Sequence, residues 1–343
     1  MKFPQQSRKT PSILALSLEG GRVEAVVVRR TNGSVEAGPA VTLELPGEAL
    51  SGDPAGPARA LRAGLDAAGL RERRCVVGLP LDWVFVVATP LPDLSPEDTA
   101  SLLDLEAERH FPQSMDNLMV ARAPFGGADT GRGVLQVAVP RERLDRLEAW
   151  LRAARLAPAS FTLALPPLAQ ACGGGAAGWA LLAVGADQVA LGVGSADGFA
   201  SLRCLTGVLD RSGAGPVVRA DLVARELRVS LGQLAPGLRG TLHGLRVIGP
   251  GEAADPLARD LQPRAAALGL TVQRFAGEGS PVAGVKLPPG RVPSAALVLG
   301  AQHLGQPRVP LEFLPARPSA WEQFSARASS RKLGHAGLVA TAL

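Results

Sequence analysis

Two short stretches hold residue types that could work on a phosphate. Leu16-Ser17-Leu18-Glu19-Gly20-Gly21 and Leu182-Ala183-Val184-Gly185 each run from an apolar strand into a glycine turn. Such a hairpin can wrap phosphate oxygens in glycine amides. An ATPase built on two such hairpins also wants an Asp at each strand end, one to hold the metal-bound water and the other to help orient the nucleophile. Here Ser17 and Ala183 fill the Asp positions, and Glu19 stands where a glycine is expected. A carboxylate aimed at a triphosphate repels it. The turns therefore predict a phosphate cleft without its acids, Ser17, Glu19 and Ala183 being the degenerate positions. Gly20, Gly21 and Gly185 remain candidate nucleotide-binding glycines. Gly249 and Gly251 join them from Gly249-Pro250-Gly251-Glu252, a turn that equally suits an ordinary strand-to-helix connection.

Other chemistry has no visible machinery. There is no GxxxxGK[ST] loop, no HExxH and no GxSxG elbow, and Gly192-Val193-Gly194 lacks the third glycine of a dinucleotide fingerprint. The four histidines, His110, His243, His303 and His335, are scattered and form no metal-ligand set. His110 reads as a charge-compatible helix end. Asp187 lies past its turn and Asp210 has no defined context, so a sugar kinase has no placed catalytic Asp. Cys75, Cys172 and Cys204 lie far apart with no CxxC pair, which predicts neither disulfides nor zinc and a reducing compartment. The expectation is no catalytic residue and no metal.

These residues sit in a chain of 343, 46% apolar and 4% aromatic, with 40 Gly, 29 Pro and no Tyr. That apolar share can bury a full core, and the length suits one large domain or two ordinary ones. The net charge of +5 comes mostly from arginines interleaved with acids, as in Arg141-Glu142-Arg143. With few aromatic residues for stacking, this is a solvated surface and not a nucleic-acid face. No run of about 20 apolar residues spans a bilayer, and Met1 to Pro11 lacks the apolar core of a secretory signal.

The elements that position the turns repeat. Ile13–Leu18 turns at Glu19-Gly20-Gly21 and returns as Val23–Val28, with a third strand at Val41–Leu45, a helix at Ala58–Ala68 and a strand at Cys75–Leu79. Ala180–Gly185 likewise turns at Ala186-Asp187 and returns as Gln188–Val193, with a third strand at Phe199–Leu205. Helix–strand units follow: Arg219–Gln233, Leu245–Ile248, Ala254–Ala267, Thr271–Arg274 and a last helix, Ser294–Leu304. An antiparallel meander opening both halves predicts an α/β actin-like (ribonuclease H-like) duplicated fold, with two lobes around a cleft. Between them, Ser95 caps a helix that has Pro96 at its first position and ends near His110. With strands at Leu118–Ala123 and Val134–Val139 it forms a small inserted α+β subdomain, about residues 90–140. Expected divisions are a flexible 1–11, lobe 1 at 12–165, lobe 2 at 166–316, and a basic linker at 317–343 that begins a membrane segment.

The ordered segments resemble the PilM and GspL group of actin-like cytoplasmic proteins from type IV pilus and type II secretion machines. The resemblance covers about residues 12–316. It rests on Leu14-Ala15-Leu16-Ser17-Leu18, on Leu91-Pro92 before Ser95-Pro96-Glu97, and on Glu106-Ala107-Glu108-Arg109-His110-Phe111-Pro112. It continues through Leu156-Ala157-Pro158, Leu165-Pro166-Pro167-Leu168-Ala169 and Phe313-Leu314-Pro315. In PilM-like proteins the cleft binds ATP and a groove accepts a peptide from PilN. In GspL-like proteins a membrane helix follows and the domain contacts the secretion ATPase. The departures at Ser17, Glu19 and Ala183 are closer to the GspL pattern. Val309-Pro310-Leu311-Glu312-Phe313-Leu314-Pro315 looks like the PilN-type docking peptide in cis, and equally like a packed terminal strand; its candidate anchors are Leu311, Phe313, Leu314 and Pro315.

The resemblance implies a non-catalytic scaffold at the cytoplasmic face of the inner membrane, anchored by a segment beyond residue 343. It would couple a motor ATPase to a PilN- or GspM-like inner-membrane protein. It carries no cofactor, contacts no nucleic acid and pairs as a homodimer. The alternative is a PilM-like switch that binds ATP and magnesium and a PilN-type peptide.

Overall fold

The computed structural model describes residues 12–31, 34–45, 53–127, 129–171, 178–210, 217–275, 285–286, 294–305 and 311–314. The chain divides into two units, Met1–Phe313 and Leu314–Leu343, and the first contains every element below.

The first half opens with β1 (Ser12–Glu19), β2 (Arg22–Thr31) and β3 (Ser34–Glu44), then α1 (Ala55–Ala67) and β4 (Arg74–Leu79). The buried run of β1, Ile13 to Leu16, is flanked on both sides, which is why it lacks the alternation of a half-exposed strand. It pairs antiparallel with β2, Ser17 facing Glu24, and parallel with β4, Ser17 facing Gly78. Next come β5 (Phe85–Pro90), α2 (Pro96–His110), β6 (Leu118–Phe125), β7 (Gly133–Pro140), α3 (Arg141–Ala153) and β8 (Ala157–Leu163). Strands β5, β7 and β6 form their own sheet, in that order. The inserted subdomain therefore starts at Phe85 and not near residue 90, since β5 belongs to it.

Ser95 caps α2 as its sequence implies, accepting from the Asp98 amide at 3.1 Å with Pro96 at the first helical position. Ala107 of this helix and Phe111, which follows its last residue, pack with Leu118 and Ala138 of the small sheet. The buried Gln136 amide donates to the Leu103 carbonyl at 3.0 Å and its oxygen accepts from Arg122 at 2.9 Å, which fixes helix on sheet.

The second half begins with α4 (Leu165–Ala171), β9 (Gly178–Val184), β10 (Val189–Ser195), β11 (Gly198–Leu205), β12 (Leu209–Asp210) and β13 (Val217–Val218). There follow α5 (Ala220–Gly232), α6 (Pro236–Gly240), β14 (Leu242–Ile248), α7 (Gly251–Ala266), β15 (Thr271–Arg274), β16 (Val285–Lys286) and α8 (Ala295–Gly305). One six-stranded sheet runs β16-β3-β2-β1-β4-β8 and a five-stranded sheet runs β11-β10-β9-β14-β15. In each, the first strand of the meander lies between its antiparallel return strand and a parallel strand from a helix–strand unit. The duplication read from the two openings is thus a duplication of sheet topology.

One assignment needs correcting. The last helix was expected in lobe 2, yet α8 returns to the first sheet, where Ala296, Leu297, Leu299 and Ala301 pack on Ile13, Ala15, Val26 and Val28. A Cβ on Gly300 would come within 2.5 Å of Val28 and 2.9 Å of Ala15, so glycine sets how closely helix and sheet approach. The segment 311–313 also joins the first sheet, at its β8 edge. The Phe313 amide donates to the Phe161 carbonyl at 2.8 Å, and the Glu312 carboxylate accepts from the Phe161 amide at 2.9 Å and from Ser160 Oγ at 2.5 Å. Phe313 is fully buried. Phe313→Ala is expected to cost about 3–5 kcal/mol, the penalty for truncating a buried aromatic ring. Chemical denaturation will measure it, and a loss below about 1 kcal/mol would mean the segment is not part of the core.

Candidate cleft between the hairpin turns

A cavity of about 440 Å³ opens between the ends of the two meanders. Apolar side chains make most of its wall: Leu79, Leu81, Leu163, Leu165, Leu168 and Ile248. Of the residues singled out in the sequence, Ser17, Glu19, Ala183, Gly185 and Gly249 line it. Gly20, Gly21 and Gly251 are not part of this lining. Ser17 and Ala183 offer no carboxylate, and among the described residues no three acids, histidines or cysteines gather into a metal site.

The two turns touch across the cleft. Glu19 reaches the turn after β9, where its Oε1 accepts from the Asp187 amide at 3.2 Å. The contact is close enough that a Cβ on Gly185 would overlap the Glu19 carboxylate. The reverse also holds: Gly20, at φ +54°, faces Asp187, and a Cβ there would overlap the Asp187 carboxylate. Each turn's glycine thus makes room for the other turn's acid. That explains two of the candidate glycines without a nucleotide.

Burial raises the Glu19 carboxyl above the ordinary value of 4.5, and the nearby Asp187 charge adds to the rise; the backbone of Asp187, Gln188 and Ala186 opposes it. Asp82 and Cys204 belong to the same electrostatic neighbourhood. Cys204 donates to Gln188 Oε1 at 3.0 Å, and its thiol is pushed up to about 11, chiefly by burial. Cys75 is pushed up to about 12 by burial, so neither is a ready nucleophile.

The rest of the rim is occupied with holding the fold. Glu24, which lines the cavity, accepts from the Ala296 amide at 3.4 Å, and Ser294 Oγ accepts from the Leu297 amide at 3.3 Å, so both satisfy the first turn of α8. Gly249 takes φ +137°, and a Cβ there would lie 2.9 Å from Val184 Cβ. Its carbonyl accepts from Arg274 at 2.6 Å, while the same guanidinium pairs with Asp255 at 2.6 Å. Gly251 is the first residue of α7. The Gly-Pro-Gly turn is therefore a pinned strand-to-helix connection. Arg274, Glu24 and Asp187 were not assigned these parts from the sequence. Spacing gives no hint that side chains 25 to 272 residues away meet there.

Of the docking-segment candidates, Leu311 and Phe313 are buried within the first unit. Leu314 is half-buried, and Pro315 lies outside the described residues. The basic stretch that includes Arg317, Arg327, Arg331 and Lys332 also lies outside them, as does Cys172.

Two sheets of matching topology around a shared cleft define an actin-like α/β fold. No protein-family model matches the chain, and no curated protein resembles it in sequence. Solved structures do. A PilM–PilN type IV pilus biogenesis complex superposes with a TM-score of 0.64 at 20% identity, over 87% of this chain and all of that one. The cytoplasmic domain of EpsL, an inner-membrane component of the Vibrio cholerae type II secretion system, follows with a TM-score of 0.51 at 10% identity, over 86% of this chain and 95% of that one. A Bacteroides thetaiotaomicron protein with an actin-like ATPase fold gives a TM-score of 0.46 at 10% identity, over 79% of this chain and 94% of that one.

A raised folded-state value makes the ionised Glu19 a cost. Its contribution to stability is largest below pH 4.5 and is lost as pH rises through the elevated folded value. Glu19→Gln keeps an acceptor for the Asp187 amide without the charge. It should raise Tm over wild type at pH 7, with the gap closing toward pH 4.5. A pH-independent difference would contradict the desolvated carboxylate.

Proposed function

We propose that this protein is a non-hydrolysing actin-like scaffold in the assembly platform of a type IV pilus or type II secretion machine. It works at the cytoplasmic face of the inner membrane, linking a motor ATPase to a PilN- or GspM-like membrane component. The observation that carries the reading is the interlocked pair of turns. Glu19 lies on the amides that would face a phosphate, and Ser17 and Ala183 supply no carboxylate to organise magnesium. Phosphoryl transfer depends on a positioned metal and on donors free to receive developing charge. With neither, the two lobes serve as a rigid frame. The likeness to a PilM–PilN complex and to an inner-membrane component of a secretion system supports the choice of machine.

Among the described residues no helix is long and apolar enough to cross a membrane, so attachment would come through a partner or through residues not described. A thermal-shift titration with Mg-ATP tests the reading. The scaffold predicts no shift at millimolar nucleotide. A ligand at 100 times its Kd adds about 2.7 kcal/mol. A shift of that size would replace the scaffold with an ATP-binding switch.

A further inference from the structure

Three helices end in the same way, and one of them breaks its own rule. After α1, Gly69 takes φ +74°, its amide donates to Asp66 at 3.0 Å and the Leu70 amide donates to Leu65 at 2.9 Å. After α7, Gly269 takes φ +75°, with the matching bonds to Ala266 at 3.0 Å and from Leu270 to Ala265 at 2.9 Å. After α3 the bonds recur, Arg155 to Arg152 at 2.9 Å and Leu156 to Leu151 at 2.8 Å, but the left-handed residue at φ +60° is an arginine. This position favours glycine because a Cβ is strained there. The fold therefore keeps an exposed guanidinium where glycine would hold the backbone better.

That guanidinium belongs to a cluster. Arg71 and Arg73 lie on the connection from α1 to β4 and Arg74 is the first residue of β4; all three are exposed, as is Arg155. The Ala157 amide donates to the Arg73 carbonyl at 2.7 Å, and Arg74 pairs with Ala157 in the sheet register, so the two connections lie side by side. The nearby acids are already engaged: Asp66 with Arg62 at 2.5 Å, Glu72 with Arg29 at 3.6 Å, and Glu148 with Arg152 at 2.6 Å. Among the described residues no carboxylate comes within 4.0 Å of Arg71, Arg73, Arg74 or Arg155. Four exposed guanidinia share this end of the first sheet, the end where β4 and β8 begin; Arg71 and Arg155 feel the Asp66 charge, but that one carboxylate is already bonded to Arg62 and is outnumbered. The cleft lies at the opposite end, where these strands finish at Leu79 and Leu163.

We propose that this arginine-rich end of the first lobe binds anionic phospholipid headgroups. Planar guanidinium groups match phosphate oxygens in pairs of hydrogen bonds, and basic side chains add their attraction at an anionic leaflet. Dipole complementation does not account for the strained Arg155, because Arg152 already serves the last turn of α3; Asp66 attracts Arg155 but is shared with Arg62 and Arg71, and an anionic surface adds the acceptors this group lacks. The choice of a membrane as the source of phosphate rests on the assembly-platform reading. Failure of vesicle binding would remove the surface and leave the nucleotide experiment unaffected.

The test is co-sedimentation of the full chain with vesicles rich in phosphatidylglycerol, against phosphatidylcholine vesicles, alongside Tm for each variant. Wild type should bind only the anionic vesicles, and less as salt rises. Arg155→Gly should raise Tm and still weaken vesicle binding, by about fivefold for one basic residue at the surface. Replacing Arg71, Arg73 and Arg74 with Ser in addition should remove most of the remaining binding. Three outcomes overturn the proposal: wild type that ignores anionic vesicles, a fourfold variant that binds them as wild type does, or binding abolished by millimolar inorganic phosphate, which would mark a small-anion site. A gain in Tm for Arg155→Gly with unchanged vesicle binding would also overturn it, leaving Arg155 as mere strain.

Discussion

The cleft depends on one contact, the Glu19 carboxylate against the turn after β9. Two hairpins that could grip a phosphate between them grip each other. Gly185 leaves space for Glu19 and Gly20 leaves space for Asp187, so the glycines that make the turns suited to an anion also let the opposing acids in. The contact costs something, since burial and the Asp187 charge both disfavour an ionised Glu19. The surrounding structure holds it regardless: β1 is fixed in register by β2 and β4, and β9 by β10 and β14. Each turn thus leaves a strand end held by a neighbour on both sides.

The same logic places the remaining rim residues. Glu24 and Ser294 serve the first turn of α8, and Arg274 holds the Gly249 carbonyl and Asp255 together. Polar groups that could have met a ligand are instead spent on orphaned backbone groups at helix and strand ends. What remains open is a largely apolar cavity bordered by Glu19 and Glu24, and Arg22 on the same lining is paired with Glu44. An anionic polyphosphate is poorly matched to such a wall.

Much of this was legible in the sequence, for physical reasons. Apolar runs interrupted by glycine fix the two hairpins, and Ser95-Pro96 fixes the start of α2, because these signals are local. The strand Phe85–Pro90 was missed since nothing local separates it from a loop leading into Pro90 and Pro92. The helix Leu165–Ala171 was missed because Pro166-Pro167 reads as a turn, although proline is well suited to a helix's first turn. The return of α8 to the first sheet is a tertiary fact, set by Gly300 against Ala15 and Val28. Alternating apolar residues at Leu311 and Phe313 fit a segment docked on a partner or on its own chain equally well, and only the bonds to Ser160 and Phe161 show where it lies. Glu19 was legible as a repulsive charge. Its hydrogen bond to a residue 168 positions away was not.

Crystals of the protein grown or soaked with Mg-ATP test the central claim most directly. The account predicts electron density for Glu19 still bonded to the Asp187 amide, with no metal-bound triphosphate between the turns. A magnesium-coordinated phosphate chain lying along Gly20 and Gly185, with the Glu19 side chain swung away, would contradict it.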